Sequence, residues 1–324
     1  MRRKLLDVLA DPSTGRPLAL ADDPGDDSID EGELVSEDGT RYPIVRGIPR
    51  FAPQHTYGES FGVQWNRFAR VQLDSYTGAG YSRWRFDTEV GWTEADLGRQ
   101  WVVDAGCGSG RFAEISASYG AEVLAVDLSS AVEAARDNLA HLPNVHVVQA
   151  DLRSLPFRRQ IVRHLYSIGV LQHTPDPIES ARTLVRFLPS KGRFAFTIYG
   201  RAPWTKFYSK YWVRPLTTRM EPERLLRVVE RAMPVLYPVT SALFRLPMLG
   251  HLFRFLIPVA NYVERRDLPP SIRYEEAILD TFDMLSPRYD NPVTLNEVVQ
   301  GLAGLVSSLE YLSWVPVVIR GVRR

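Results

Sequence analysis

Cysteine is nearly absent, with Cys107 the only one in 324 residues. No disulfide framework can form within such a chain, and a reducing compartment fits. Long apolar runs are missing too, so no segment offers the ~18 uncharged apolar residues that a membrane-spanning helix needs. The opening stretch MRRKLLDVLADPSTG has only a short apolar run before Asp7, which does not make a signal peptide. A bacterial-type cytoplasmic location is therefore expected. An excess of one charge is also lacking: 39 Lys and Arg stand against 38 Asp and Glu. Net charge gives no argument for nucleic acid binding. What remains is ordinary globular composition, in a chain too long for one domain of ~100–200 residues.

The charges are unevenly spread. Residues 1–60 hold 12 acidic and 7 basic side chains, whereas residues 201–273 hold 13 basic and 5 acidic. This asymmetry suggests regions with different jobs. Residues 1–55 read as short apolar or alternating runs (LLDVL, ELVSED, RYPIV) between the turn sequences DPSTGRP and DDPGDD, a small β-rich unit. Residues 56–200 open with aromatic, basic and partly helical segments, ESFGVQWNRFARVQLDS and YSRWRF. From residue 100 strands and helices alternate: QWVVDAG, RFAEISASYG, AEVLAVD, SSAVEAARDNLAHL, VHVVQAD, HLYSIGVL, DPIESARTLVRFLPSKG and RFAFTIY. That order predicts an α/β fold with a doubly wound, mostly parallel sheet. Residues 201–292 interrupt it with helices expected to break at Pro234, Pro238, Pro247 and Pro258. Residues 293–324 return to the core with TLNEVVQGLAGLV, a helix, and LEYLSWVPVVIRGV, one or two strands.

The strongest motif is Asp104-Ala105-Gly106-Cys107-Gly108-Ser109-Gly110, between a buried strand and a helix. Glycines there let the backbone turn sharply and let a ligand approach without a Cβ clash. Ligands of open parallel sheets sit at the carboxyl ends of strands. The bland alternative is a tight turn that binds nothing. Two further acids weigh against it. Asp127 ends the second strand, where a carboxylate can take both hydroxyls of a ribose. Asp151 ends the third, where it can accept from an adenine amine while Leu152 packs on the ring. Either alone would most often be a cap or turn residue; in order after a glycine turn they form a nucleoside constellation. A dinucleotide fingerprint wants G-x-G-x-x-G, but here the third glycine comes one residue early and Arg111 stands at its place.

DAGCGSGRF, AVDLS, ADLRSLPF and SIGVLQHTPDP, in this order, resemble class I methyltransferases dependent on S-adenosylmethionine (SAM). The resemblance implies a seven-stranded Rossmann-like sheet whose last strand is inserted antiparallel, with SAM as methyl donor. Asp104 would then face the methionine amine. The cofactor contacts it implies are Trp65, Asp104, Ala105, Gly106, Cys107, Gly108, Gly110, Asp127, Leu128, Asp151, Leu152 and Gly169. ESFGVQWNRFARVQLDS and DTFDMLSPRYDNP look like a bacterial subgroup with an N-terminal zinc-ribbon-like domain. Asp11, Thr14, Ser36 and Gly39 stand where such a domain would carry thiolates. Zinc sites of this kind need thiolate or imidazole ligands, so no metal is expected.

His173 follows the fourth strand, beside the place of the transferred methyl. It could act as a general base, or simply hold the loop or the substrate. Tyr199 and Arg201 stand at the same edge. Phe61, Gln64, Trp65 and Arg67 could form a lid on the methionine carboxylate, or an amphipathic helix packed on the sheet. The basic, aromatic insert reads first as a substrate cap, then as a peripheral membrane contact, and last as a nucleic acid surface. The reading is therefore methyl transfer to a small-molecule or lipid-linked O- or N-nucleophile. A non-catalytic SAM-binding scaffold and a nicotinamide oxidoreductase are the alternatives. The sequence carries no indication of oligomeric state.

Overall fold

A computed structural model of the chain describes residues 1–22, 25–53, 56–265 and 267–324. Its first unit is a four-stranded antiparallel sheet of β1 (Ala19–Leu20), β2 (Gly32–Val35), β3 (Arg41–Val45) and β4 (Ile48–Pro49). The apolar run near the start is not a strand: Arg3–Asp7 forms a 3-10 turn whose Leu5 is buried. Asp11 and Ser36 hold two tight turns. Asp11 Oδ1 accepts from the Ser13 and Thr14 amides at 2.9 and 2.8 Å, and its Oδ2 accepts from the Tyr42 hydroxyl at 2.8 Å. The Ser36 hydroxyl accepts from the Thr40 amide at 3.1 Å. Hydrogen bonds thus occupy the positions where thiolates were considered. No cluster of His, Cys, Asp or Glu among the described residues could hold a metal.

A helical stretch follows: α1 (Glu59–Arg67), α2 (Asp74–Thr77), α3 (Tyr81–Glu89) and α4 (Glu94–Leu97). Then the alternation begins with β5 (Trp101–Ala105), α5 (Arg111–Ser118), β6 (Glu122–Asp127), α6 (Ala131–Leu139), β7 (Val145–Gln149), β8 (His164–Ile168), α7 (Pro177–Phe187) and β9 (Arg193–Ile198). Burial along β5, β6, β8 and β9 is nearly continuous, as expected for strands covered on both faces. Asp176 caps α7 by accepting from the amides of Ile178 and Glu179, with Pro177 at the first helical position. At α6 the adjacent serine acts: Ser129 Oγ accepts from the Ala131 amide at 3.2 Å, and Ser130 makes no capping bond.

The insert contains α8 (Lys210–Thr217), α9 (Pro222–Leu243), α10 (Leu249–Leu256) and α11 (Pro270–Leu285). Pro247 and Pro258 flank α10, but Pro234 and Pro238 lie inside the unbroken α9, contrary to expectation. Both are exposed, so water can take the carbonyls that their missing N–H groups free. The chain ends with α12 (Leu295–Leu302), β10 (Val306–Trp314) and β11 (Val317–Arg323). The large sheet has the order β10-β11-β9-β8-β5-β6-β7. β11 is inserted antiparallel between β9 and β10, and β5 to β9 run parallel. This is a doubly wound, mostly parallel seven-stranded sheet with its last strand inserted antiparallel.

The small unit seals the β7 edge of that sheet. Arg50 bridges Gln149, and the Phe51 amide donates to the Gln149 carbonyl at 2.7 Å. Arg46 reaches Glu133 and Asp137 of α6 at 2.6 and 3.1 Å. Leu5, Leu9, Leu34 and Ile44 share one apolar core with Val126, Val148 and Phe157. No helix among the described residues is long and apolar enough to cross a membrane.

Candidate functional site

The strand order reverses between β5 and β8, and a cleft opens at the carboxyl ends there, as open α/β sheets dictate. The turn after β5 forms its floor. Gly106, Gly108 and Gly110 have φ of +89°, +54° and +94°, in the left-handed region that costs other residues ~1–2 kcal/mol. Space is as restrictive as conformation. A Cβ on Gly106 would lie 2.4 Å from a Val170 methyl, and one on Gly110 would lie 2.5 Å from a Leu139 methyl. On Gly108 it would come within 2.9 Å of Trp65 Nε1, so α1 lies directly over the turn. The Gly106 and Cys107 amides donate to the Val126 carbonyl at 2.8 and 2.9 Å, which ties the turn to the end of β6.

Asp127 completes that tie. Its Oδ2 accepts from the Gly108 amide at 3.0 Å, and its Oδ1 accepts from the Ser129 amide and hydroxyl at 2.9 and 2.7 Å. Burial raises its carboxyl pKa, against these bonds, which lower it. An ionised carboxylate offers about four lone-pair sites, so acceptor capacity remains for a ligand's hydroxyl. Asp104 is placed differently. It is 2% exposed, sits behind the turn and does not line the cavity. Burial pushes its carboxyl up to about 8, against the Tyr166 hydroxyl, and its Oδ2 has no partner among the described residues.

The cavity encloses about 1170 Å³, beyond the ~300–1,000 Å³ typical of a pocket for one ligand. Trp65, Gly106, Cys107, Gly108, Asp127, Leu128, Leu152, Gly169 and His173 line it, while Ala105, Gly110 and Asp151 do not. Asp151 turns to its neighbour instead: its carboxylate takes a two-pronged bond from Arg153, Nε at 3.0 Å and Nη2 at 2.6 Å. Leu128, Leu152 and Tyr57 line the cavity here, and the Asp151 carboxylate does not. Arg201 is also turned away, paired with Glu297, and Arg67 pairs with Glu230 at 3.0 Å.

His173 is held on three sides. Its ring packs against Phe61 and Tyr199, with centroids 5.0 and 5.4 Å away. Its Nδ1 lies 3.0 Å from the Tyr289 carbonyl. A carbonyl only accepts, so Nδ1 carries the hydrogen, and in the neutral tautomer this leaves the lone pair on Nε2. Beyond it stands a polar wall that the sequence did not announce. Glu276, Asp280 and Asp283 sit on one face of α11, at i, i+4 and i+7, and all three line the cavity. Asp283 accepts from Gln64 at 3.0 Å and from the Tyr199 hydroxyl at 3.5 Å. Burial lifts the Asp280 carboxyl to about 7, with Glu276 adding to the shift and the Tyr262 hydroxyl opposing it. Buried oxygens of Gln64 (Oε1) and Glu276 (Oε2) have no partner among the described residues. Arg85 is fixed by two bonds to Glu89, which also accepts from Thr197 at 2.7 Å. The only sequence signal for this wall was that three of the four acids of α11 stand at helical spacing.

Residues 103–196 match the model of a methyltransferase domain family. Among curated proteins, the chain is 29% identical over 120 residues to the ubiquinone biosynthesis O-methyltransferase of Nitrosomonas europaea, covering 35% of this chain and 49% of that protein. It is 28% identical over 119 residues to the enzyme of the same name from Xanthomonas oryzae pv. oryzae, covering 33% and 46%. The chain thus spans about half the length of the curated relatives it matches. One similar solved structure is a geranyl diphosphate methyltransferase in complex with GPP and sinefungin, at 15% identity and a TM-score of 0.38, covering 75% of this chain and 77% of that one. Another comes from work on the conversion of a disulfide bond into a thioacetal group during echinomycin biosynthesis, at 15% identity and a TM-score of 0.38, covering 71% and 78%. With the glycine turn and the strand order in agreement with the family match, residues 103–196 form a methyltransferase domain.

Proposed function

We propose that the chain transfers a methyl group from SAM to an oxygen or nitrogen of a small-molecule acceptor, with a lipid-linked molecule the preferred acceptor class. One observation carries this reading: a turn that only glycine can form, tied to the Asp127 carboxylate, floors a cavity larger than one ligand fills. The residues present fit the donor. The glycine cradle admits a ligand's backbone-close approach, Asp127 has a lone pair left for a ribose, and Trp65 covers the turn from above. SAM, when bound, supplies an electrophilic methyl on a sulfonium whose departure leaves a neutral thioether.

Placing the acceptor is then the protein's main task. Alignment of reacting groups can supply ~7–11 kcal/mol of a barrier. His173 Nε2, oriented by the Nδ1 bond to Tyr289, is the group placed to take the acceptor's proton as the carbon–oxygen or carbon–nitrogen bond forms. Tyr199, Gln64 and Asp283 form a hydrogen-bonding wall that orients a polar acceptor group. The insert, residues 201–292, caps the cavity through Tyr208, Tyr262 and the acidic face of α11.

Calorimetry with SAM, S-adenosylhomocysteine and NAD tests the donor reading, and transfer of labelled methyl from SAM to an organic extract of cells tests the reaction. Binding of both sulfur compounds and label in an extractable product are expected. Binding of NAD without SAM would overturn the reading.

A further inference from the structure

We infer that the insert docks the protein on an anionic lipid bilayer, with the cavity mouth facing the membrane. The inference starts from α9. Arg224, Arg227, Val228, Arg231, Val235 and Val239 lie on one exposed face at helical spacing, with Glu223 exposed at its start and Pro234 and Pro238 exposed along its apolar half. The row is basic in its first half and apolar in its second. Its apolar end runs into the turn Leu246-Pro247-Met248-Leu249, where Met248 is 90% exposed at φ +60°. From there α10 presents Leu249, Leu252 and Leu256 to solvent, at i, i+3 and i+7. A basic flank leading to a bare apolar tip is the amphipathic pattern that settles at a headgroup–acyl boundary.

This surface is continuous with the cavity. The Ser209 amide donates to the Phe255 carbonyl of α10 at 3.1 Å, and the rings of Tyr208 and Phe255 lie 4.5 Å apart. Tyr208 and Trp204 both line the cavity and are exposed, and so do Trp314 and Val315 at the β10–β11 turn. The rim of the mouth is therefore apolar and aromatic, although the inner wall is polar. An acceptor dissolved in water gains nothing from such a rim. One held in a bilayer can pass from acyl chains to the polar wall without crossing water.

Charge decides between a bilayer and a second copy of the chain. Arg224, Arg227 and Arg231 are exposed and make no ion pair among the described residues. Two-fold self-association would set this basic face against its own copy, whereas interface cores are depleted in charge. An anionic headgroup layer complements the same face.

Co-sedimentation of the full chain with vesicles tests the inference. One set is phosphatidylcholine alone, the other phosphatidylcholine mixed with phosphatidylglycerol. Binding to the mixed vesicles is expected, at least tenfold tighter than to phosphatidylcholine and weakened by salt. The combined substitutions Arg224→Gln, Arg227→Gln and Arg231→Gln should weaken it about fivefold for each charge removed. Leu252→Asp with Met248→Asp should abolish it. All five positions are solvent-exposed, and unchanged circular dichroism and SAM calorimetry separate loss of docking from loss of fold or of donor binding. Absence of binding to the mixed vesicles at low salt, or equal binding by both variants, would overturn the inference. So would a dimer in solution that Leu252→Asp dissociates while vesicle binding stays absent.

Discussion

Replacing Asp127 by alanine separates two jobs that one carboxylate performs. Its oxygens accept three hydrogen bonds, from the Gly108 amide and from the Ser129 amide and hydroxyl. Removing it leaves the Gly108 N–H without its partner at the centre of the glycine turn, a cost of ~1–3 kcal/mol. In a chain of this size that corresponds to a melting temperature lower by several degrees, at ~2–4 °C per kcal/mol. The ligand term is comparable. Three of about four lone-pair sites are taken, which leaves one for a ribose hydroxyl, and one charge-assisted bond contributes ~1.5–3 kcal/mol. Affinity should fall by roughly ten- to a hundredfold. Calorimetric titration of SAM and S-adenosylhomocysteine, well below the melting temperature, measures the second effect without the first. If the variant melts early but binds SAM within about threefold of the parent, Asp127 only ties the turn and the ribose assignment fails.

The remaining predictions concern other parts of the molecule. Gly106→Ala adds a methyl 2.4 Å from the stiff Val170 side chain at φ +89°; a fall in melting temperature of several degrees is expected, and an unchanged thermal melt would contradict the geometry. His173→Asn keeps a donor near Tyr289 but removes Nε2. Turnover should fall on the order of a hundredfold with SAM affinity unchanged, and a loss below tenfold assigns the ring to holding the 289 loop alone. Burial lowers His146 and His164 to about 4, with Glu122 opposing the shift for His146 and Arg193 adding to it for His164. The unfolded chain binds these protons below about 6.5, so this stability is present above that pH and is lost as pH falls towards 4. His146→Gln should flatten that acid limb in denaturant melts across pH. Asp104 acts in the opposite sense: its folded pKa of about 8 means stability is lost as pH rises from about 4 to 8. Asp104→Asn should remove that decline, and a variant that still loses stability over this range would show the acid to be ionised in the fold.

Much of the core was legible because its signals are local. The buried strands before Gly106 and up to Asp127 read directly as strand and turn, and the antiparallel last strand came with the family resemblance. Elsewhere local signals misled. Pro234 and Pro238 punctuate a sequence, yet both lie on the wet side of α9, where the broken bonds cost little. Asp151 had the right strand end but also Arg153 two residues on, close enough to take its carboxylate. Asp104 was expected to face a ligand; the direction its side chain takes depends on Tyr166, 62 positions away, which no window of sequence contains. The α11 wall was hidden for the same reason, because only tertiary packing brings residues 276–283 over the turn at 106–110.

The sealing of the β7 edge bears on the order in which the chain can assemble. Arg2 donates to the carbonyl of Leu142 at 2.9 Å, 140 residues along the chain, and the Ala10 amide donates to that of Pro156. A contact at such separation forms only after the intervening chain has been ordered. This segment is made before its partner strand β7 and cannot complete the core it shares with that strand until β7 is in place. Until it docks, β7 is a bare edge open to pairing with other chains. Removal of residues 1–51 is expected to bare the β7 edge and raise aggregation, read by light scattering.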